Sequence, residues 1–356
     1  MSMRIGIIGG SSQVGVSLAL YFKKYSDADV LVFVRSSYSR VFFDLCKIDY
    51  QHIDFSNQAS LSHSLEALDL VVDCSYPAGQ LHSILPATKR NVQAVIAAMP
   101  EKAAYVYMSS IMAYGMPDGQ TQIEHYMVPR TAYAYIKRSA ERYIHQISRK
   151  YKRRAYSFRL GQVHGFLQSV NESFKEKLSS TSKAYITGDP GELTNTIFIS
   201  SLGEAILKCG KGTISPGVYT LVSQPQWTLK ELYGYYLNMY NLTTELVYMP
   251  IVRNVKKRAG FPAGLMAFLK KHRPLLETYI LMQLPKMAVK FKGRFRQSEV
   301  YAVVNAGAGH AAIDFNLLGT PSLQTVTGIK SGVNDIMQFE SEMESTYNDL
   351  LDKNMQ

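Results

Sequence analysis

Apolar positions open the chain as a run, Ile5 to Ile8, and after a short glycine-serine turn they return at helical spacing through Val14, Leu18 and Phe22. That pattern predicts a buried strand, a tight turn and an amphipathic helix within Arg4 to Phe22. Further apolar runs predict a second strand over Asp29 to Val34, a third ending at His52-Ile53-Asp54, a fourth over Leu70 to Ser75 and a fifth over Ala104 to Ser110. Strands and helices alternate through the first 165 residues, which predicts an α/β fold: a doubly wound parallel sheet with right-handed crossovers and helices on both faces. Gly217 to Ser223 reads as a strand that rejoins this sheet.

Between the first strand and its helix stand Gly9, Gly10, Ser11, Ser12, Gln13, Val14 and Gly15. Gly9 and Gly10 permit a tight turn, Gly15 lets the helix pack closely on the strand, and N–H groups at the helix start attract a pyrophosphate. The spacing Gly9, Ser12, Gly15 departs from a three-glycine pattern, so the turn alone leaves a plain strand-to-helix connection equally open. The second strand ends at Arg35, about 20 residues on, where an acid would take the ribose 2′-hydroxyl of NAD. Arg35, with Ser36, Ser37 and Arg40, instead offers charge and hydroxyls to a 2′-phosphate, so the expected cofactor is NADP, with NAD as the alternative. A solvated loop arginine is the plainer reading. Asp54 sits where it can accept from an adenine amino group, and Ser75 borders the same cleft.

The chain of 356 residues has room for about two domains. Residues 1–165 with about 194–226 read as the nucleotide-binding Rossmann domain, and 166–193 with 227–356 as a smaller, divergent C-terminal substrate domain. Cys46, Cys74 and Cys209 are few, odd in number and without metal spacing, which implies a reducing compartment and no zinc site. No apolar run reaches membrane-spanning length and the N-terminus runs straight into a strand, so a cytoplasmic protein is expected, free or peripheral at a membrane. The net charge is +11, and residues 253–296 alone hold 12 bases against the single acid Glu277, which accounts for the whole excess. Such a block suits an anionic substrate, an anionic membrane surface or a solvated face. Nucleic acid is disfavoured, because groove-entering motifs and stacking aromatics are missing from the block.

Tyr133 and Lys137 lie at i and i+4 in a helical pattern, so phenol and ammonium share a face with Cβ atoms about 5–6 Å apart. At an effective dielectric of about 20 this gives on the order of 3 kcal/mol of attraction to a phenolate, enough to make the tyrosine a usable acid and base. In a chain of 24 tyrosines the pair also arises by chance, with Tyr133 a core aromatic. The order of the motifs counts against chance: glycine turn first, then Ser110 at the C-terminal end of the fifth strand, then Tyr133.

With these residues in view, the chain resembles extended short-chain dehydrogenases/reductases of the NAD-dependent epimerase/dehydratase type. The resemblance runs from about residue 3 to about 225 and rests on the glycine turn, on the segment from Ser109 to Gly115, on the Tyr133/Lys137 pair and on the stretch from Arg159 to Gly165. It extends to residues 188–205, where Ser200 and Ser201 replace the expected acids, and fades beyond Trp227. The resemblance implies that Ser110 hydrogen-bonds the reacting oxygen, Tyr133 exchanges its proton, and Lys137 assists Tyr133 and holds the nicotinamide ribose. It places Asn91 along the cofactor cleft, with capping or packing equally open; His164 stands where the family often has Tyr, and a packing role is expected for it.

Related dehydratases carry a Thr and an acid pair after the fifth strand, where this chain has Ser110-Ile111-Met112, so dehydration is disfavoured. A single hydride transfer remains: a ketoreductase using NADP(H) on a sugar nucleotide, a lipid-linked sugar or another anionic or lipidic substrate. A nucleotide-sugar 4-epimerase with bound NAD(P) is the alternative. A non-catalytic NADP-sensing regulator is the reading from another class, and the presence of Ser110, Tyr133 and Lys137 speaks against it. A homodimer is left open.

Overall fold

The computed structural model describes residues 2–35, 40–79, 81–114, 132–223, 226–249, 340–346 and 348–349. Its centre is a seven-stranded sheet built from β1 (Arg4–Ile8), β2 (Asp29–Val34), β3 (Asp49–His52), β4 (Leu70–Asp73), β5 (Ala104–Ser110), β6 (Arg154–Leu160) and β10 (Gly217–Leu221), in the order β10-β6-β5-β4-β1-β2-β3. Every pairing is parallel. β4 is buried throughout and β5 at all but Ser110, as strands covered on both faces must be. One face packs on α1 (Gln13–Tyr25), α2 (Arg40–Leu45) and α7 (Ile199–Gly210), through Leu18, Phe22, Phe43 and Leu202. The other packs on α3 (Gln58–Leu65), α4 (Leu81–Ala98) and α5 (Ala132–Lys150), through Leu61, Val92, Ile96 and Ile144.

Three strands are shorter than their apolar patterns, each for a local hydrogen-bonding reason. β3 ends at His52 rather than Asp54, because Asp54 turns its carboxylate back onto the Ser56 N–H at 2.9 Å. β4 stops at Asp73 rather than Ser75, because the Asp73 carboxylate accepts the Ser75 N–H at 2.8 Å and bends the chain. β10 stops at Leu221 rather than Ser223, whose N–H leaves the β6 ladder for the Thr196 carbonyl.

Outside the sheet, β7 (Gln162–His164) pairs with β9 (Thr196–Phe198), and β8 (Lys183–Thr187) pairs with β11 (Glu245–Met249). With α6 (Ser169–Ser179) and α8 (Leu229–Met239) they enclose an aromatic cluster of Phe198, Trp227, Tyr235 and Tyr236. A capping box between Thr228 and Glu231 starts α8. His164 is fully buried among Phe174, Phe198 and Tyr236, and burial lowers its pKa to about 3, so it stays neutral and packs. A helical stretch over 340–346 returns to the core, burying Met343 and holding Lys24 at the Glu342 carbonyl and Thr346 hydroxyl. Among the described residues no helix is long and apolar enough to cross a membrane. The basic block of 253–296 lies outside them.

Candidate active site

Strand order reverses between β1 and β4, so their carboxyl ends part and leave a groove, the usual ligand position of such sheets. At the β1 end Gly9 takes φ +71°, and the Ser12 N–H closes the turn on its carbonyl at 2.9 Å. A Cβ on Gly9 would stand 2.7 Å from the Ser75 backbone, and one on Gly15 2.5 Å from the Gly9 carbonyl oxygen. Gly10 and Gly15 are buried and shape the turn from beneath. Ser12 caps α1, its hydroxyl accepting the Gly15 N–H at 3.1 Å. The serine thereby occupies one of the orphan amides at the start of α1. Gln168 ties this turn to the start of α6, donating to the Gln13 carbonyl at 3.0 Å and to the Ser17 hydroxyl at 2.9 Å.

The groove has two cavities, of about 300 and about 320 Å³, which share Ser12, Cys74 and Tyr76. The first is walled by Phe33, Ile53 and Phe55, with Gly9, Ser11, Ser75 and Asn91 beside them and Arg35 exposed at its rim; among the described residues its lining holds no carboxylate. Apolar walls of this kind suit a flat ring. Asp54 is exposed, spent on Ser56, and held below the usual carboxylate range by that side-chain contact; it does not line the slot. Ser36 lies outside the described residues, as does the Arg40 side chain.

The second cavity brings together Gln13, Val14, Ser110, Tyr133 and Lys137. β5 delivers Ser110, whose hydroxyl accepts the Met112 N–H at 3.2 Å, and α5 delivers the other two from successive turns. Lys137 is buried, its ammonium donating to the Met108 carbonyl at 2.7 Å, 4.7 Å from the Tyr107 ring centre and 5.7 Å from that of Tyr133. Burial alone would lower its pKa, but Tyr107, Tyr133 and Asp73 outweigh that and raise it above the ordinary value. The Tyr76 ring lies 5.6 Å from that of Tyr133. Ile111 and Met112 follow Ser110, so neither residue directly after it is an acid.

A profile of the NAD dependent epimerase/dehydratase family matches residues 5–195, more than half of the chain. The chain belongs to this family. No curated protein sequence matches it. As a member of the epimerase/dehydratase family it is an NAD(P)-dependent enzyme of the extended short-chain dehydrogenase/reductase type, and solved structures share its fold. UDP-glucuronic acid 4-epimerase from Bacillus cereus, in complex with NAD, is 14% identical at a TM-score of 0.55, over 70% of this chain and 87% of its own. The UDP-Glc/GlcNAc 4-epimerase of Campylobacter jejuni is 16% identical at 0.55, over 74% and 89%. dTDP-glucose 4,6-dehydratase from Streptomyces venezuelae, with NAD and TYD bound, is 15% identical at 0.52, over 76% and 97%.

Sequence reasoning passed over the polar groups under this family site. Glu141, buried on α5, takes the Arg159 guanidinium at 2.7 Å and the Ser109 hydroxyl, while Arg138 donates to the Ala113 and Tyr114 carbonyls. These contacts hold the turn after Ser110. Asp73, Tyr105 and Tyr107 were passed over as well; the alternation of Tyr105 and Tyr107 along β5 is the signal that puts both on one face.

Proposed function

We propose that this enzyme transfers a hydride between a nicotinamide cofactor and a carbinol or ketone of a nucleotide-sugar or lipid-linked-sugar substrate, with NADPH preferred and reduction as the working direction. The observation that carries this reading is the single wall formed by Ser110, Tyr133 and Lys137, reached by the same groove that begins at the glycine turn. When bound, the cofactor supplies or accepts the hydride. The first turn of α1 would bind its pyrophosphate, Arg35 its 2′-phosphate, and Lys137 its nicotinamide ribose. Ser110 would then hold the reacting oxygen while Tyr133 gives or takes its proton, Lys137 favouring the phenolate. Dehydration is disfavoured because Ile111 and Met112 stand where a further acid and base would be needed.

Nucleotide-sugar 4-epimerisation is the second reading, and the family membership favours it. The smaller lobe of residues 166–193 and 227–356 would take the substrate, and the basic block 253–296 would grip a diphosphate or rest on an anionic bilayer. Incubation with NADPH and a panel of nucleotide-sugar 4-ketones separates the readings. Reduction consumes NADPH in proportion to product; interconversion of 4-epimers from carbinol substrates without net loss of cofactor supports the epimerase; binding without turnover of either set would overturn both.

A further inference from the structure

An ammonium as buried as Lys137, 5% exposed, needs an anion to offset its lost hydration. Its direct contacts are neutral: the Met108 carbonyl at 2.7 Å and a hydrogen bond with the Tyr107 phenol. Among the described residues the carboxylate that acts on it is Asp73, 3% exposed at the end of β4. Asp73 and Tyr107 are register partners across β4 and β5, and Tyr105, two residues earlier on the same face, donates its phenol to Asp73 Oδ2. The Ser75 N–H takes Oδ1 at 2.8 Å. Both carboxylate oxygens are thus held, one strand away from the ammonium's anchor on β5.

We propose that Asp73 is a positioning residue of the reaction centre, the buried carboxylate that keeps the Lys137 ammonium charged and seated beside Tyr133, with the Tyr105 and Tyr107 phenols as neutral spacers. The groups facing this pair come from four places: Asp73 and Cys74 on β4 and just after it, Tyr105 and Tyr107 on β5, Tyr76 in the loop after β4, and Tyr133 on α5 itself. Burial pushes the Cys74 thiol and the Tyr105 and Tyr107 phenols up, so at neutral pH all three are neutral. Glu141, one turn beyond Lys137, is paired with Arg159, and Arg138 is bonded to carbonyls. Among the described residues Asp73 is therefore the carboxylate left to act on Lys137. Its meaning for catalysis rests on the role proposed for Lys137; its test does not.

The test titrates the free protein, labelled with ¹³C at the lysine Cε, by NMR, with the Lys137→Met spectrum identifying the Lys137 resonance. In the wild type that resonance should stay unmoved far into the alkaline range. In Asp73→Asn it should titrate about one pH unit or more lower, a tenfold or greater loss of proton affinity. Tyr105→Phe, which keeps the carboxylate, should behave as the wild type. Coincident curves for wild type and Asp73→Asn would overturn the proposal. Should Asp73→Asn not fold, Asp73→Ser, smaller and equally uncharged, takes its place with the same expected shift of the Lys137 resonance, and a curve coincident with the wild type would overturn the proposal equally. No cofactor or substrate is needed, so failure of the hydride-transfer reading and failure of this pairing are separate results.

Discussion

In the proposed reaction Tyr133 supplies the proton, and Ser110 beside it is a far weaker acid. Tyr133→Phe should therefore keep cofactor affinity, read by fluorescence titration, and lose turnover by about 10² or more. Near-normal turnover in that variant would assign the proton transfer elsewhere. Arg35, exposed at the rim of a slot with no carboxylate among its described lining residues, should favour NADPH over NADH. Its loss in Arg35→Ala should cost roughly 1.5–3 kcal/mol of NADPH binding by calorimetry, leaving NADH nearly unchanged. Equal wild-type affinities for the two would sink the 2′-phosphate contact. The residues behind these predictions were legible because their signals are local: a spacing of four on a helix, an arginine just past a strand. Asp73 was not. Its partners depend on which residue of β5 stands opposite, and register between strands that lie 30 residues apart is a tertiary fact.

Among the elements, sheet strands and crossover helices were readable from periodicity, and the misjudged strand ends mark where a side chain or a second strand took over a backbone group. Asp73 and Asp54 show it most plainly, each carboxylate bending its own chain within two residues. The helical stretch over 340–346 was not foreseen, because its contacts are with α1 and the turn at Gly165 and Phe166 from the far end of the sequence. Glu340 anchors it, accepting the Phe166 N–H at 2.8 Å while 1% exposed, and burial pushes its carboxyl up to about 8. The folded state thus holds a proton that the unfolded chain, with a carboxyl pKa of 4.5, releases. Stability from this group must fall as pH rises from about 4.5 to about 8, a loss of up to a few kcal/mol that is complete above that range. His164 titrates the opposite way but is common to both proteins in a comparison. Glu340→Gln should therefore lose less melting temperature than the wild type between mildly acidic and alkaline buffer, read by calorimetry. Parallel decline in the two would show that Glu340 is not the titrating group.

For the whole molecule, the charge excess sits in one block while the groove is built in the sheet domain, so surface attachment and chemistry should separate experimentally. Sedimentation with anionic vesicles should capture the protein at low salt through about 1 kcal/mol per engaged base and release it at high salt, with Lys270→Glu plus Lys271→Glu weakening capture. No capture at low salt would leave the block to a diphosphate or to solvent. The fold was legible as a whole because alternation of strands and helices is written along the chain, whereas the substrate was not: the family pattern fades beyond Trp227. Transfer of the hydride is the claim everything else serves. NADPH carrying deuterium on the transferred position of the nicotinamide, given with a nucleotide-sugar 4-ketone, should place one deuterium in the product by mass spectrometry, and Tyr133→Phe should suppress that transfer by about 10² or more. Product formed without deuterium from either face of the nicotinamide, or full transfer by Tyr133→Phe, would contradict the account.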